Sequence, residues 1–284
     1  MGSYLDAEGV RITTHEWPVA EPAALVQVSH GIGEHAGRYE RLATDLNAAG
    51  FSVFADDHRG HGATGMEQWG GDLARLGRLG PGGLTATIEA IHRYTRRLRD
   101  EHPGVPLVLL GHSWGSLMAQ ISLNRHAADY DGVVLSGTAY RMAGYMNPGD
   151  LNRRHRHLGT TGAEWLSRDP AVATAWVADP LTFPAKTAKL LGVRDGLRLW
   201  GRPARSLPED LPVLIQIGED DSVGGRRSGE RLVRAYRERS GIRDVTLHTY
   251  PGARHEVYNE TNRDEVIGDL VAWLRSRVVA RKAA

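Results

Sequence analysis

The pentad at residues 111–115, Gly-His-Ser-Trp-Gly, is the part of the sequence best suited to covalent chemistry. An apolar stretch from Leu107 leads into it, and a segment compatible with a helix follows from Trp114 to His126. This is the context of a G-x-S-x-G nucleophile elbow, in which small neighbours permit a sharp turn and the hydroxyl stands at the positive end of a helix. An isolated G-x-S-x-G also matches ordinary strand-to-helix turns, so the prediction depends on the flanking patterns. We therefore predict that Ser113 is a nucleophile.

A serine hydroxyl needs a neighbouring base, normally a histidine oriented by a carboxylate. Among 13 histidines, His255 follows the last predicted strand and precedes the last predicted helix, where the chain order Ser, Asp, His places the base. The acid should follow the apolar strand that begins at Val213, where three consecutive carboxylates stand at 219–221. Asp221 is the preferred acid and Asp220 the alternative. Without the other two members, such an acidic turn would simply be a solvated loop.

Attack on an ester produces an oxyanion, which preset N–H donors stabilise by about 3 kcal/mol each. The amide of Trp114, directly after the nucleophile, is one predicted donor. The amide of Ile32 is the other, because Gly31 and Gly33 on either side allow the backbone to turn inward after a strand. The chemistry predicted is hydrolysis of a carboxylic ester through an acyl-serine intermediate. It implies no cofactor and no metal.

The elements that must position these residues alternate along the chain. Strand-length apolar runs are separated by patterns with helical period, which predicts an α/β fold with a mostly parallel central sheet flanked by helices. The strands begin near Leu25, Ser52, Leu107, Val133, Val213 and Val245. Helices are predicted at 38–49, 114–126, 226–239 and 262–281, and a short hairpin at 5–14.

The alternation breaks down between Tyr140 and Leu207. We predict an inserted helical cap at 140–207 on an α/β core formed by 1–139 and 208–284. An insertion at the carboxyl ends of strands can cover a site. Its apolar residues could line an acyl tunnel and touch lipid, or could simply pack on the core. These residues are Trp165, Trp176, Leu181, Phe183, Leu190 and Leu191.

Composition argues against several other classes. Lys and Arg total 35 against 34 Asp and Glu, so no overall field favours nucleic acid. Cysteine is absent, which excludes disulfides, thiolate nucleophiles and cysteine metal sites. The N-terminal sequence lacks the basic and apolar regions of a signal peptide, and no segment reaches the roughly 18 apolar residues of a membrane span. We therefore expect a cytoplasmic protein.

Several long motifs resemble the monoacylglycerol lipase and lysophospholipase-like group of α/β-hydrolases, a serine aminopeptidase-type family. The first three are HGIGEHAGRYERLATDL, DDHRGHGATG and GHSWGS. Two more follow in the order of that group, WLSRDPAVATAWVADPLTFP from Trp165 and YPGARHEVYNETNRDEVIGDLVAWL from Tyr250. The resemblance extends from about Val28 to about Leu274. It implies the α/β-hydrolase fold with an inserted cap and a small-molecule or lipid ester as substrate.

The resemblance also implies roles for individual residues. The family acid lies three residues after the glycine that ends the penultimate strand, which selects Asp221 over Asp220. Ile32 and Trp114 are implied as the oxyanion donors. A polar pocket for the alcohol part of the substrate is implied near Glu34, Arg38 and His112. A buried network that braces the loop is an equally good interpretation of those three residues.

Two positions, Trp114 and Trp176, depart from the family pattern, and a third, Ser116, indicates a branch within it. Trp114 stands where methionine is more usual, and would narrow the pocket without changing the amide. Trp176 stands at a cap position that faces glycerol and is tyrosine in animal monoacylglycerol lipases, which weakens a glycerol-specific interpretation. Ser116 in place of glycine is similar to the bacterial lysophospholipase-like branch.

Monoacylglycerols or lysophospholipids are thus the expected substrates, with transient membrane contact through the cap as a further expectation. The same triad could serve an acyltransferase or an amidase, and a non-catalytic binding scaffold is a third alternative. The oligomeric state stays open.

Overall fold

The apolar runs of the sequence become the strands of one twisted sheet. A computed structural model describes residues 2–185, 187–208 and 210–283. The strands are β1 Gly2–Leu5, β2 Arg11–Trp17, β3 Ala24–Ser29, β4 Phe51–Asp56, β5 Leu107–His112, β6 Gly132–Ser136, β7 Val213–Gly218 and β8 Val245–Tyr250.

These eight strands lie in the order β1-β2-β4-β3-β5-β6-β7-β8. The β1–β2 hairpin and the β2–β4 pair are antiparallel, and all other pairs are parallel. Every residue of β3 to β7 is buried, as expected of parallel strands covered by helices on both faces. The predicted mostly parallel α/β sheet is confirmed.

Helices cover both faces of this sheet. They are α1 Glu40–Ala48, α2 Gly62–Gln68, α3 Gly83–Glu101, α4 Trp114–His126, α5 Pro170–Ala178, α6 Thr187–Arg198, α7 Gly225–Glu238, α8 Arg263–Trp273 and α9 Ala280–Ala283. A 3-10 turn at Ala36–Tyr39 precedes α1, and a π-helical stretch at Leu274–Val279 joins α8 to α9. Within the described ranges, no helix combines the length and the hydrophobicity that crossing a bilayer requires.

The core lies in two layers, one on each face of the sheet. Side chains of β5 alternate between them: Leu107 and Leu109 pack with α3, α4 and α7, whereas Val108 and Leu110 pack with α1 and α8. Because both faces are apolar, the strand itself is continuously apolar. The layers hold the carboxyl ends of the strands at one edge of the sheet.

The predicted insertion lies between β6 and β7 and contains α5 and α6. Asp169 caps α5 by accepting a hydrogen bond from Ala171 N at 2.9 Å, with Pro170 at the first helical position. Helix α6 is interrupted at Gly192, whose φ is 67°. The insertion meets the rest of the chain through the backbone, since Phe183 N donates to Gly33 O at 3.0 Å.

Candidate active site

Ser113 occupies a strained turn between β5 and α4. Its φ of 52° and ψ of −124° lie outside the regions that residues with a side chain normally adopt. Its amide donates to Ser136 O at the end of β6, 2.9 Å away, so the neighbouring strand holds the turn. Strain of this kind persists where surrounding contacts determine the backbone, and it is concentrated at functional sites.

Both glycines of the pentad are needed because neighbouring backbone atoms leave no room for a side chain at these positions. A Cβ at Gly115 would overlap the carbonyl oxygen of Ser29 and lie 2.5 Å from that of His30. A Cβ at Gly111 would lie 2.7 Å from Gly115 O. Ser116, in contrast, fits, because its hydroxyl lies 2.6 Å from Ser113 O and so braces the turn.

Asp221 and His255 form a buried pair beyond β7 and β8. Asp221 Oδ1 lies 2.9 Å from His255 Nδ1 and also accepts a hydrogen bond from Val223 N at 2.8 Å. The two residues are only 3% and 1% exposed. The alternative acid, Asp220, has a half-exposed side chain, 3.6 Å from Arg154. The geometry therefore favours Asp221 as the partner of the imidazole.

The imidazole of His255 is set up to accept a proton. The Asp221 carboxylate requires a hydrogen on Nδ1, which leaves a lone pair on Nε2. Nε2 is buried and has no hydrogen-bond partner in the described part of the chain. Burial opposes the charged form, but Asp221 and its hydrogen bond, followed by Glu256 and Glu34, outweigh it and raise the pKa of His255.

The fold places His255 against the residue that precedes the Ser113 turn. The ring of His255 lies 4.7 Å from the ring of His112, the residue before Ser113, and 4.7 Å from that of Trp165 in the insertion. Burial, followed by repulsion that a protonated His255 would exert, lowers the pKa of His112 to about 4, so His112 is neutral near pH 7. Asp221 and His255, which follow β7 and β8, thus lie next to the residue that precedes Ser113 at the end of β5, and no hydrogen bond joins Ser113 to His255 Nε2.

Two backbone amides are available beside Ser113. Trp114 is the first residue of α4, so its amide has no partner within the helix. The loop after β3 passes close to the nucleophile, since a Cβ at Gly31 would lie 3.1 Å from Ser113 Cβ. The amides of Ile32 and Trp114 make no hydrogen bond to any other described residue. They are therefore free to receive an oxyanion.

An ionic network joins this loop to the loop that holds His255. Arg38 donates from both terminal nitrogens to Glu256, at 2.8 and 2.9 Å, and also pairs with Glu34. Glu34 Oε1 accepts from Gly31 N at 2.5 Å and from Tyr39 OH at 2.8 Å. Burial opposes ionisation of Glu256, but Arg38 outweighs it and lowers the pKa of Glu256 to about 2. Glu256 therefore stays ionised near pH 7.

The same residues line a small cavity. Glu34, Arg38, His112 and Glu256 surround a space of about 20 Å³. That volume accommodates one water, not a glycerol group. The contacts of Glu34 and Arg38 thus match the bracing interpretation.

Buried histidines support the floor of the site. His30 and His58 stack with their ring centroids 3.9 Å apart, and His58 N donates to His30 Nε2 at 3.0 Å. Asp56 Oδ2 lies 3.0 Å from His58 Nδ1. The indole of Trp114 is buried against these histidines. Its ring centroid lies 5.8 Å from that of His58 and 5.4 Å from that of His61. Its side chain therefore packs beneath the loop.

Two tryptophans of the insertion have different surroundings: Trp165 packs against His255, and Trp176 packs in an apolar cluster within the insertion. Trp176 is half-buried and packs against Ala163, Leu166 and Ala173, a small apolar cluster within the insertion. Trp165, which the sequence indicated only as a lining candidate, contacts the imidazole ring.

Glu256 and Tyr39 were not among the site residues predicted from the sequence. The only sequence feature that could have indicated a role for Glu256 is its position next to the predicted base. A glutamate at that position could equally well have been exposed to solvent. Its partner, Arg38, lies 218 residues away in the chain.

Known proteins of similar sequence and structure share this arrangement of elements. The sequence model of the serine aminopeptidase S33 family matches residues 20–262. A monoacylglycerol lipase of Mycolicibacterium smegmatis is 31% identical over 291 residues, which cover 97% of each chain. The monoglyceride lipase of Homo sapiens is 28% identical over 296 residues, covering 99% of this chain and 92% of the relative.

A solved structure supports the same assignment. The thermostable carboxyl esterase from Bacillus coagulans, solved in complex with glycerol, superposes with a TM-score of 0.82 at 25% identity, covering 97% of each chain. The family match spans most of the sequence, and the resemblance inferred from the motifs is confirmed. This chain therefore belongs to the serine aminopeptidase S33 family of α/β-hydrolases, in its monoacylglycerol lipase-like group.

Proposed function

We propose that this protein hydrolyses carboxylic esters through an acyl intermediate on Ser113, with lipids that carry a single acyl chain, such as monoacylglycerols or lysophospholipids, as substrates. The observation that supports this most strongly is the buried Asp221–His255 pair, whose imidazole has a free Nε2 and packs against His112, the residue before the strained serine turn. The names of the relatives, monoacylglycerol lipase and monoglyceride lipase, favour the same substrate class.

Each group has a defined part in this mechanism. Ser113 Oγ attacks the ester carbonyl while its proton passes to His255 Nε2, and Asp221 stabilises the imidazolium that forms. The amides of Ile32 and Trp114 receive the oxyanion. As the tetrahedral intermediate collapses, the C–O bond to the alcohol breaks and His255 returns the proton to the leaving oxygen. Water then attacks the acyl-serine, with His255 again as base, and releases the carboxylic acid.

We assign Glu34 and Arg38 a positioning role in this mechanism. The short contact between Glu34 and Gly31 N fixes the loop that presents Ile32, and the Arg38–Glu256 pair fixes the residue next to His255. His112 is then the residue of the implied alcohol pocket whose ring packs against the proposed base. Trp176 acts through packing inside the cap, not through contact with the alcohol.

We propose that residues 140–207 form the cap on a core made of 1–139 and 208–284, and that this cap touches lipid surfaces transiently. Support comes from its exposed apolar residues: Val177 is 54% exposed, Val193 81% and Leu197 65%. Single apolar residues are common on surfaces, but Val193 and Leu197 are four residues apart on α6 and therefore share one face of that helix. A cytoplasmic location stays a prediction.

Vesicle co-sedimentation tests the membrane contact. The Val193→Glu/Leu197→Glu double variant should bind phosphatidylcholine vesicles more weakly than the wild type. Leu73→Glu serves as the matched control, because Leu73 is 48% exposed and lies outside the cap. Equal binding by all three proteins would contradict the proposal.

A substrate panel tests the function. Purified protein and its Ser113→Ala variant would be assayed with a monoacylglycerol, a lysophospholipid, a diacylglycerol and p-nitrophenyl esters of graded chain length. We expect the wild type to prefer the long single-chain esters and the variant to be inactive. Preference for short acyl groups would contradict the lipid assignment. A dominant transesterification product in the presence of a competing alcohol would identify an acyltransferase instead.

A further inference from the structure

We propose that Glu89, His92 and His126 form a binding site for a divalent transition-metal ion such as Zn²⁺, remote from the proposed catalytic centre. Each residue offers one ligand atom, and these atoms all lie within 4.8 Å of one another. Two imidazoles and one carboxylate are a set that zinc sites use, with water in the fourth position. The site joins α3 to the end of α4.

Helix geometry brings the three side chains together. Glu89 and His92 are three residues apart on α3 and therefore share one face of that helix. His126 is the last residue of α4. Its ring is stacked on that of His92, with centroids 3.6 Å apart and planes inclined by 11°. Two imidazoles from different helices thus occupy one location beside a carboxylate.

One nitrogen in this cluster lacks a partner. His126 Nε2 is a buried atom, and no group in the described ranges accepts or donates a hydrogen bond to it. Buried polar atoms normally have a partner in the protein, an ordered water or an ion. An ion bound by Glu89 and His92 would provide one.

The second histidine has the outer contact that metal ligands require. His92 Nε2 lies 2.7 Å from Asp129 Oδ2. A ligating histidine usually donates its other N–H to a carboxylate, which fixes the tautomer and orients the ring. With the hydrogen of His92 on Nε2, the lone pair is on Nδ1 and is available for a metal.

The ligand atoms must move closer together to bind an ion. Tetrahedral zinc with bonds of about 2.0–2.1 Å needs ligand atoms about 3.3 Å apart, so the cluster must contract by about 1.5 Å and one ring must turn out of the stack. Glu89 is exposed and both histidines are half-buried, so this movement meets little resistance. The present partner of Glu89 is Arg125 at 3.3 Å, an exposed pair that contributes little.

The proposed ion would not touch the catalytic residues. His126 lies 13 residues beyond Ser113 along α4, which corresponds to about 20 Å. Binding should therefore leave ester hydrolysis unchanged and stabilise the contact between the two helices.

Calorimetric titration of chelator-treated, full-length protein with ZnCl₂ tests this site. We expect one saturable site in the wild type, and binding at least about 100-fold weaker in His92→Ala and in His126→Ala. Asp129→Asn should weaken binding by about 10–100-fold, because it removes only the outer contact. His248→Ala is the matched control and should bind as the wild type does, since His248 also pairs with an aspartate on the surface, Asp269, at 3.0 Å.

Thermal unfolding provides a second readout. Zn²⁺ should raise the Tm of the wild type and of His248→Ala, but not that of His126→Ala. Absence of saturable binding by the wild type at millimolar Zn²⁺, or unchanged binding by His126→Ala, would overturn the proposal. Zn²⁺ that binds only with loss of ester hydrolysis would also overturn it, because that result would locate the ion at His255.

Discussion

Replacement of Asp221 by asparagine isolates the contribution of one buried charge. Asp221 Oδ1 accepts hydrogen bonds from both His255 Nδ1 and Val223 N, whereas Oδ2 has no partner in the described part of the chain. An asparagine should therefore place its oxygen at the Oδ1 position. In the opposite orientation its NH₂ group would occupy that position and face the N–H of Val223, which is also a donor. The imidazole then keeps the same tautomer and loses only the negative charge beside it.

The size of the effect follows from that charge. At about 4 Å and an effective dielectric constant of about 20, a carboxylate stabilises an imidazolium by about 4 kcal/mol. The imidazolium exists in the transition state and not in the resting enzyme, so kcat should fall about 10³-fold. A loss closer to 10⁴-fold, as in serine proteases where the equivalent change inverts the tautomer, would show that the amide flips.

Steady-state hydrolysis of a p-nitrophenyl ester at saturating concentration measures this loss, with the Tm of each variant as the folding control. Asp220→Asn is the matched variant, because its side chain is half-exposed and lies 3.6 Å from Arg154. It should retain kcat within about threefold. A loss of less than about tenfold in Asp221→Asn, or a larger loss in Asp220→Asn, would refute this assignment of the acid.

Three further predictions concern the base, the turn and the ionic network. The rate kcat/KM should rise with pH through a midpoint above 6.5, because Asp221 raises the pKa of His255 and only the neutral ring accepts a proton; a midpoint below 6.5 would contradict this. Gly115→Ala should destabilise the protein by about 3 kcal/mol in urea unfolding, whereas Gly268→Ala, in an open position of α8, should stabilise it by about 0.5–1 kcal/mol; equal values would refute the packing argument. Glu256→Gln should cost about 3 kcal/mol in the same assay, because it leaves Arg38 buried with only part of its charge paired; an unchanged midpoint would show that this pair contributes nothing.

The sheet could be predicted from the sequence because strands buried on both faces are continuously apolar. Helix α3 is missing from the predictions, although Leu84, Ile88, Ile91 and Leu98 follow a helical period and all are buried. The Gly-rich stretch before it, and charged residues between the apolar positions, obscure that period. Helix α6 was hard to predict for another reason, since it is interrupted at Gly192 and little of it is buried.

Candidate site residues could be predicted where a backbone motif surrounds them. Ser113 stands in a turn that demands glycines, and Ile32 lies between two glycines. Contacts between side chains distant in sequence could not be predicted in the same way. The pairing of Arg38 with Glu256, and of His92 with His126, depends on which helices and loops the fold brings together.

The most direct test of the mechanism is to trap the acyl intermediate. Protein mixed with a p-nitrophenyl ester, quenched rapidly in acid and digested, would be analysed by mass spectrometry. We predict one added acyl group, on the peptide that contains Ser113, and none in the Ser113→Ala variant. An acyl group on a different residue, or undiminished ester hydrolysis by Ser113→Ala, would contradict the proposed mechanism.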